Sequence, residues 1–347
     1  MELNERKLRI LQAIISDFIL SAEPVGSRTL SRKYDMGISP ATIRNEMSDL
    51  EEMGYLTHPH TSAGRVPSDK AYRLYVNHLM DKYKMPEKDK DEISKRLTKN
   101  ISELDKIIER AAELLSELTN LTSFAITPSP EEDKLKYVNI VSVDADTVVI
   151  MIVAESGKIS NTTVRLHTAY TEEQLRIMSK LMTHDYKGQN ISDILTRDII
   201  RDFQSDLMSL NRLAGDIRPN FLSTLENMLN VDLYLEGLTN IFSIPEYNDL
   251  EKARLFIEMV NKKKYMTEIL VNREDGVIIT IGGENADEIM KDCSLITATY
   301  HINGKPVGKL GVIGPTRMKY NKVTSIIEYM TDNLNKAFQI KEGDDEG

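Results

Sequence analysis

The sequence contains a single cysteine, Cys293, and no tryptophan. One cysteine cannot form an intramolecular disulfide, a CxxC redox motif or a cysteine-rich zinc site. No run of about 18 uncharged apolar residues occurs, so no membrane-spanning helix is predicted. The charged N-terminal stretch also lacks the apolar core of a signal peptide, and we expect a soluble, cytoplasmic protein. Walker, GxSxG and HExxH motifs are missing as well, which removes the strongest sequence signals for an enzyme.

An excess of positive charge is also missing. The formal net charge of the chain is −10. Residues 1–85 hold 12 lysines and arginines against 11 aspartates and glutamates, a balance of +1, so the remainder carries −11. The N-terminal part is therefore the least acidic, yet it is not a basic patch. If it binds nucleic acid, the binding must depend on shape and base contacts, reinforced by dimerisation.

Helix caps and turn residues divide the first 85 residues into short elements. Asn4, Ser39 and Ser68 each precede a stretch with apolar residues at helical spacing, as N-caps do. Residues 55–68 combine two prolines and a glycine with β-favouring residues, which predicts a small hairpin. The resulting order of helix, helix, turn, helix, hairpin and helix is that of a winged helix-turn-helix.

The third helix, in the stretch "ISPATIRNEMSDLEEMGYL", carries the most informative side chains. Ile43, Met47 and Leu50 lie within about 60° of one another on a helical projection and predict the buried face. Arginine and asparagine can form paired hydrogen bonds with guanine and adenine edges, and a helix N-terminus favours phosphate. The predicted DNA contacts are Ser39, Thr42, Arg44, Asn45 and Ser48, with Arg28 on the second helix and His60, Thr61, Ser62 and Arg65 in the hairpin.

The rest of the chain predicts an α+β domain with an insertion. Residues 82–92 are charged, lack periodicity and suggest a linker. A heptad-like stripe from Ile93 to Leu118 fits either a dimeric coiled coil or a long helix packed on its own domain. Strand patterns at 121–127, 277–282, 294–302 and 306–314 would form one sheet. Three strand-like runs at 137–167, followed by helical patterns, suggest an antiparallel meander in a separate unit.

Several long stretches resemble one protein family, the heat-inducible transcription repressors called HrcA. These are "EPVGSRTLS", "ISPATIRNEMSDLEEMGYLTHPHTSAGRVPSDKAYRLYV", "IGGEN" and "LGVIGPTRMKY", and the resemblance extends over essentially the whole chain. It implies a multidomain α+β protein with an N-terminal winged helix-turn-helix, a GAF-like domain and an inserted dimerisation domain. It further implies a homodimer that binds an inverted repeat in double-stranded DNA upstream of chaperone operons, with activity maintained by the GroEL chaperonin.

The sequence patterns and the family resemblance together predict the domain boundaries. The winged helix-turn-helix occupies 1–85, and 86–100 form a linker and the start of a long helix. The GAF-like domain comprises 101–129 and 232–341, the inserted dimerisation domain spans 130–231, and 342–347 form an acidic tail.

Two other functional classes, a small-molecule sensor and an enzyme, have less support in the sequence. A GAF-like domain can hold a small molecule, and "GGEN" at 282–285 could line a pocket, although such glycine pairs are more often tight turns. An enzyme is disfavoured, because His58 and His60 lack a third metal ligand and Cys293 lacks an accompanying histidine or aspartate. We therefore expect no cofactor, no metal and a buried Cys293.

Overall fold

The computed structural model describes residues 3–34, 36–59, 64–98, 104–127, 133–196, 208–229, 231–302 and 305–343. The protein is a mixed α+β protein that divides into two compact units. The first unit comprises residues 1–99, 108–126 and 233–347, and the second comprises residues 100–107 and 127–232. Within the described ranges, no helix is both long enough and apolar enough to cross a membrane.

The N-terminal part of the first unit is built from short helices around one small core. Its elements are α1 (Glu5–Ser21), α2 (Ser27–Lys33), α3 (Pro40–Glu52), β1 (Leu56–Thr57), β2 (Val66–Pro67) and α4 (Asp69–Leu74), which continues into one π-helical turn, Tyr75–Leu79. Strands β1 and β2 pair antiparallel. Ile14 of α1, Leu30 of α2 and Ile43 of α3 are fully buried, so each helix turns its apolar stripe inward, as the spacing predicted.

A five-stranded antiparallel sheet forms the centre of the rest of the first unit. Its strands are β3 (Thr122–Ile126), β7 (Leu233–Glu236), β8 (Val277–Ile281), β9 (Cys293–Ile302) and β10 (Lys305–Pro315), in the order β7-β3-β10-β9-β8. Helix α12 (Tyr320–Gly343) packs on β9, and α10 (Leu250–Val260) and α11 (Lys263–Val271) complete this part. The strand patterns predicted at 121–127, 277–282, 294–302 and 306–314 agree with this sheet to within one residue.

The region predicted as a linker is largely helical. Residues 87–92 begin α5 (Glu87–Thr98), and α6 (Leu104–Thr119) follows as a separate helix. Helix α5 has acidic residues in its first turn and basic residues in its last, which suits the helix dipole. Its Ile93 and Leu97 are buried, and the helix packs against α12 of the same chain. The heptad-like stripe is thus divided between two helices, which favours the interpretation of packing within the chain over a coiled coil.

The second unit consists of a three-stranded sheet covered on one face by helices. Its elements are β4 (Leu135–Ser142), β5 (Thr147–Ala154), β6 (Ile159–Arg165), α7 (Glu172–Tyr186), α8 (Ile191–Thr196) and α9 (Met208–Leu229). The strands form the predicted antiparallel meander, β4-β5-β6. Ser179 and Thr183 of α7 accept hydrogen bonds from the amides of Ile140 and Val138, both at 2.9 Å. These hydroxyls occupy the edge of β4, where unpaired amides would otherwise be open to another strand.

Candidate DNA-binding site

Local sequence signals fix both ends of helix α3. The Ser39 hydroxyl accepts a hydrogen bond from the Thr42 amide at 3.2 Å, and Pro40 occupies the first helical position, where no amide donor is needed. Gly54, with φ of 77°, adopts the left-handed conformation that ends many helices. The predicted buried face of Ile43, Met47 and Leu50 is confirmed.

The opposite face of α3 exposes the side chains predicted to contact bases. Arg44, Asn45 and Ser48 are exposed, and none of them has a hydrogen bond or ion pair within the part of the chain that the structure describes. Thr42 is half-buried, and its hydroxyl lies 3.0 Å from that of Ser39. Arg28 on α2 is also exposed and without such a partner among the described residues. Four polar side chains on neighbouring helices are therefore available to an external ligand.

Three of the four acidic residues of α3, Glu46, Asp49 and Glu51, are paired with cations of the protein. Lys7 on α1 lies 2.7 Å from Glu46 and 2.9 Å from Asp49, and Arg6 reaches Glu46 at 3.4 Å. Hydrogen bonds to Glu46 first, and then to Asp49, raise the pKa of Lys7 above its ordinary value, so its charge is retained at neutral pH. The negative charges of Glu46 and Asp49 are thus paired on the side of α3 that faces α1.

Sequence reasoning missed this role of Lys7, although one signal was available. Lys7 lies four and seven residues before Leu11 and Ile14, two fully buried residues of α1, so it falls on the apolar stripe of that helix. A lysine on a buried stripe requires an acidic partner, because an unpaired buried charge is costly. The identity of the partners on α3 could not be read from the sequence.

Arg65 lies at the base of the hairpin and is already engaged within the protein. Its guanidinium is 2.8 Å from a carboxylate oxygen of Glu51 and 2.7 Å from Nδ1 of His58, and its side chain is 17% exposed. The Arg65 main chain exchanges two hydrogen bonds of 2.9 Å with Val25. The Arg65 side chain therefore connects the hairpin to the C-terminal end of α3. Contact between this residue and DNA stays a prediction.

Gly64 allows the hairpin to approach the loop between α1 and α2. A Cβ atom at this position would lie 2.5 Å from the carbonyl carbon and oxygen of Val25, a distance that real Cβ atoms do not reach. The main chains of the two segments therefore touch directly. The predicted contacts His60, Thr61 and Ser62 lie outside the described residues.

Lys70 and Arg73, two cations of α4, have partners within the chain. Lys70 lies 4.4 Å from the centre of the Tyr55 ring and donates a hydrogen bond to the Met53 carbonyl at 2.9 Å. Arg73 forms an ion pair with Glu284. Helix α4 thus contributes contacts within the chain and no free cation at these positions.

The residues considered for metal binding, nucleophilic catalysis or a ligand pocket are next compared with their surroundings in the fold. No group of three or more potential metal ligands occurs in the described ranges. Cys293 is buried, as predicted, and burial raises the pKa of its thiol to about 11, so it is not a thiolate at neutral pH. The Asn285 side chain donates hydrogen bonds to the carbonyls of Gly282, Met290 and Cys293. The "GGEN" stretch is accordingly a tight turn held by its own asparagine.

Known proteins resemble this chain over nearly its full length. Residues 105–324 match the family described as HrcA protein C terminal domain. The heat-inducible transcription repressor HrcA of Clostridium tetani (strain Massachusetts / E88) is 40% identical over 341 residues, which cover 98% of this chain and 97% of that protein. The repressor of the same name from Clostridioides difficile (strain 630) is 40% identical over 340 residues, 97% of this chain and 100% of that protein.

A solved structure shares the fold. The crystal structure of a hypothetical protein, at 2.2 Å resolution, superimposes with a TM-score of 0.65, covering 97% of this chain and 99% of that one. The two sequences are 22% identical, so this similarity concerns the fold alone.

Proposed function

The chain belongs to the HrcA family of heat-inducible transcription repressors, and we propose that it represses by binding an inverted-repeat operator as a homodimer through helix α3. In this proposal residues 1–85 are a winged helix-turn-helix, with α3 as the recognition helix and the β1-β2 hairpin as the wing. The five-stranded sheet and its helices are the GAF-like domain, and residues 130–231 are the inserted dimerisation domain. As a DNA-binding repressor and not an enzyme, the protein would act in the cytoplasm.

One observation supports this assignment most strongly. Arg44, Asn45 and Ser48 project from the first nine residues of α3 without partners in the described structure. Glu46, Asp49 and Glu51 on the same helix are instead paired with cations of the protein. Unpaired arginine and asparagine side chains at the N-terminal end of a helix suit the edges of guanine and adenine in the major groove. The same pairing lowers the electrostatic cost of bringing α3 close to phosphates.

The open face of the β4-β6 sheet supports dimerisation through the inserted domain. Residues on its other face are packed under α7 and α9, whereas this face carries apolar side chains toward the outside. Tyr137, Val141 and Ile159 are 41%, 46% and 57% exposed, and Met151 lies between them on the central strand. A contiguous apolar surface of this kind is typical of an interface, and in a two-fold dimer the same face of a second copy would cover it.

Family membership supports one further part of the proposal. We include regulation by a GroEL-type chaperonin, because the sequence stretches shared with the family extend over all parts of the chain. An apolar face that needs a second copy gives a physical reason for the unassembled chain to require a chaperone.

The central test is selection of bound sequences from a pool of random duplex DNA by the purified full-length protein. The expected result is an inverted repeat, and Arg44→Ala should lose or relax one base position in each half. Absence of an enriched repeat would contradict the proposed function.

A second experiment tests the dimer surface. Met151→Lys places a charge at the centre of the apolar face, and light scattering should then report a monomer with greatly weakened binding to the selected repeat. Leu181→Lys, at a side chain 36% exposed on α7, is the matched control and should remain dimeric. A Met151→Lys protein that stays dimeric would show that this face is not the interface.

A further inference from the structure

Helix α4 is held by a turn that lies more than 200 residues away in the sequence. The Arg73 guanidinium donates hydrogen bonds to both carboxylate oxygens of Glu284, at 2.7 and 2.5 Å. It also donates to the carbonyl of Ile279 at 2.6 Å. A guanidinium bound to both oxygens of a carboxylate is fixed in direction as well as distance, so this pair orients α4 and does not merely attract it.

The same turn contacts the first residue of α4. A carboxylate oxygen of Asp69 accepts a hydrogen bond from the Gly283 amide at 2.9 Å. The neighbouring Gly282 has φ of 53°, and a Cβ atom there would lie 2.0 Å from the same oxygen. Both the backbone conformation and the close approach therefore depend on glycine. This gives the "IGGEN" stretch a role that neither DNA contact nor a ligand pocket explains.

A second attachment joins α1 to the segment that precedes α12. The Arg317 guanidinium donates to both carboxylate oxygens of Glu246, at 2.5 and 2.8 Å, and to the carbonyl of Ile19 at 2.7 Å. Ile19 lies in the last turn of α1, where carbonyls have no partner within the helix. Glu246 thus holds Arg317 in position to cap α1.

The two attachments together restrain the helices of residues 1–85. A single contact would leave rotation about it free, but contacts at α1 and at α4 oppose rotation. Between them, the buried rings of Tyr72 and Tyr320 lie 5.9 Å apart and close the same interface. Because α3 packs on α1 through Lys7 and the core, its position is then determined by the α+β part of the same chain.

We propose that Asp69, Arg73, Gly282, Glu284 and Arg317 form a clasp whose function is to fix the recognition helix relative to the rest of the protein. They are positioning residues, since none needs to touch DNA. This inference rests on the proposed function, because a fixed α3 matters only when two copies read two half-sites together. A rigid connection makes the distance between two recognition helices a constant, and so makes the spacing between half-sites a recognised feature.

The test measures affinity for a series of duplexes that carry both half-sites of the selected operator with spacers varied one base pair at a time. The parent should prefer one spacing by about tenfold or more over spacings changed by three base pairs. Glu284→Lys places a cation against Arg73 and should reduce that preference to about threefold or less. Glu288→Lys carries the same charge change at a residue whose one ion pair among the described residues is with the nearby Lys291, and it should behave as the parent.

Two further measurements make the outcome specific. The affinity of Glu284→Lys for a duplex with one half-site should equal that of the parent, and the combined Arg73→Glu, Glu284→Lys protein should recover spacing preference. An unchanged spacing profile in Glu284→Lys would overturn the clasp, and so would an equal loss of half-site affinity, which would place the defect within the DNA-binding domain. If the parent itself binds no inverted repeat at any spacing, the proposed function fails instead.

Discussion

Helices α3 and α4 begin in the same way, but their outward arginines have different surroundings. Each is preceded by a serine whose hydroxyl accepts a hydrogen bond from a main-chain amide of the first turn, from Thr42 and from Ala71 respectively. Each carries an arginine on its outward side. Arg44 of α3 has no partner within the described residues, whereas Arg73 of α4 binds Glu284 and the Ile279 carbonyl.

The difference between these arginines arises outside the helices that carry them. Local sequence determines that both positions point away from the small N-terminal core. Only the return of the chain, more than 200 residues later, covers one of them and leaves the other open. An outward arginine therefore supports DNA contact only if it has no partner within the protein. Arg44 of α3 meets this condition among the described residues, whereas Arg73 of α4 does not.

The largest effect expected from this comparison concerns operator binding by α3. Arg44→Ala or Asn45→Ala should each weaken binding by roughly 1 to 3 kcal/mol and relax discrimination at one base position per half-site. The thermal stability should stay near that of the parent, because neither side chain has a partner within the described chain to lose. Titration of labelled operator and a thermal melt of the free protein provide the two measurements.

Arg254→Ala is a suitable control for the loss of charge. Arg254 is exposed on α10, and within the part of the chain that the structure describes its ion pairs are with Glu251 and Glu258 of its own helix. If Arg254→Ala weakened operator binding as much as Arg44→Ala, the effect would reflect net charge and not recognition by α3.

A smaller effect is expected at the two caps. Ser39→Ala should lower the free energy of unfolding by about 1 kcal/mol, as is usual for loss of a serine cap. Ser68→Ala should cost about 2 kcal/mol, because its hydroxyl also donates to the Gly54 carbonyl at 2.7 Å. Urea unfolding followed by helical circular dichroism measures both. Ser39→Asp retains a capping oxygen and should restore most of the stability, and equal costs at both serines would contradict the role of the added bond.

The smallest expected effect is a change in thermal stability as the pH is lowered. Partial burial would raise the pKa of Glu284, but hydrogen bonds from Arg73 and from the Ile281 amide together hold it below the ordinary value. Such a carboxylate stabilises the fold above its unfolded-state pKa of 4.5, and the contribution is lost as pH falls through the lower folded-state value. The difference in melting temperature between the parent and Glu284→Gln should therefore shrink from about pH 6 to about pH 3. A difference that grows on acidification would contradict the pairing.

Much of the fold follows from local signals. The caps Ser39 and Ser68, the glycine at 54 and the spacing of Ile43, Met47 and Leu50 were enough to place α3 and α4. Strand-like runs bounded by turn residues likewise located most strands of both sheets. These signals work because a capped helix or a half-buried strand is selected by residues within one or two turns of each other.

Other features depend on partners that are distant in the sequence. The charged stretch 87–92 appeared to be a linker, because the packing of α5 on α12 involves the far end of the chain. One such contact is the hydrogen bond from the Ser94 hydroxyl to Asn333 at 3.0 Å. The pairing of Arg65 with Glu51 depends on how the hairpin folds back on α3. The pairing of Arg73 with Glu284 depends on how the α+β domain is completed after the insertion. The residues are visible in the sequence, but the pairing is not.

Gly64 has a consequence for how the site tolerates mutation. Positions 44, 45 and 48 are exposed, and their side chains have no partner among the described residues. Side chains other than proline therefore fit there, and base preference can change one residue at a time. Position 64 has no such freedom, since even one methyl group would collide with the Val25 main chain and displace the hairpin from the loop between α1 and α2. When both regions are randomised and selected only for folded protein, the helix positions should diversify while position 64 returns glycine.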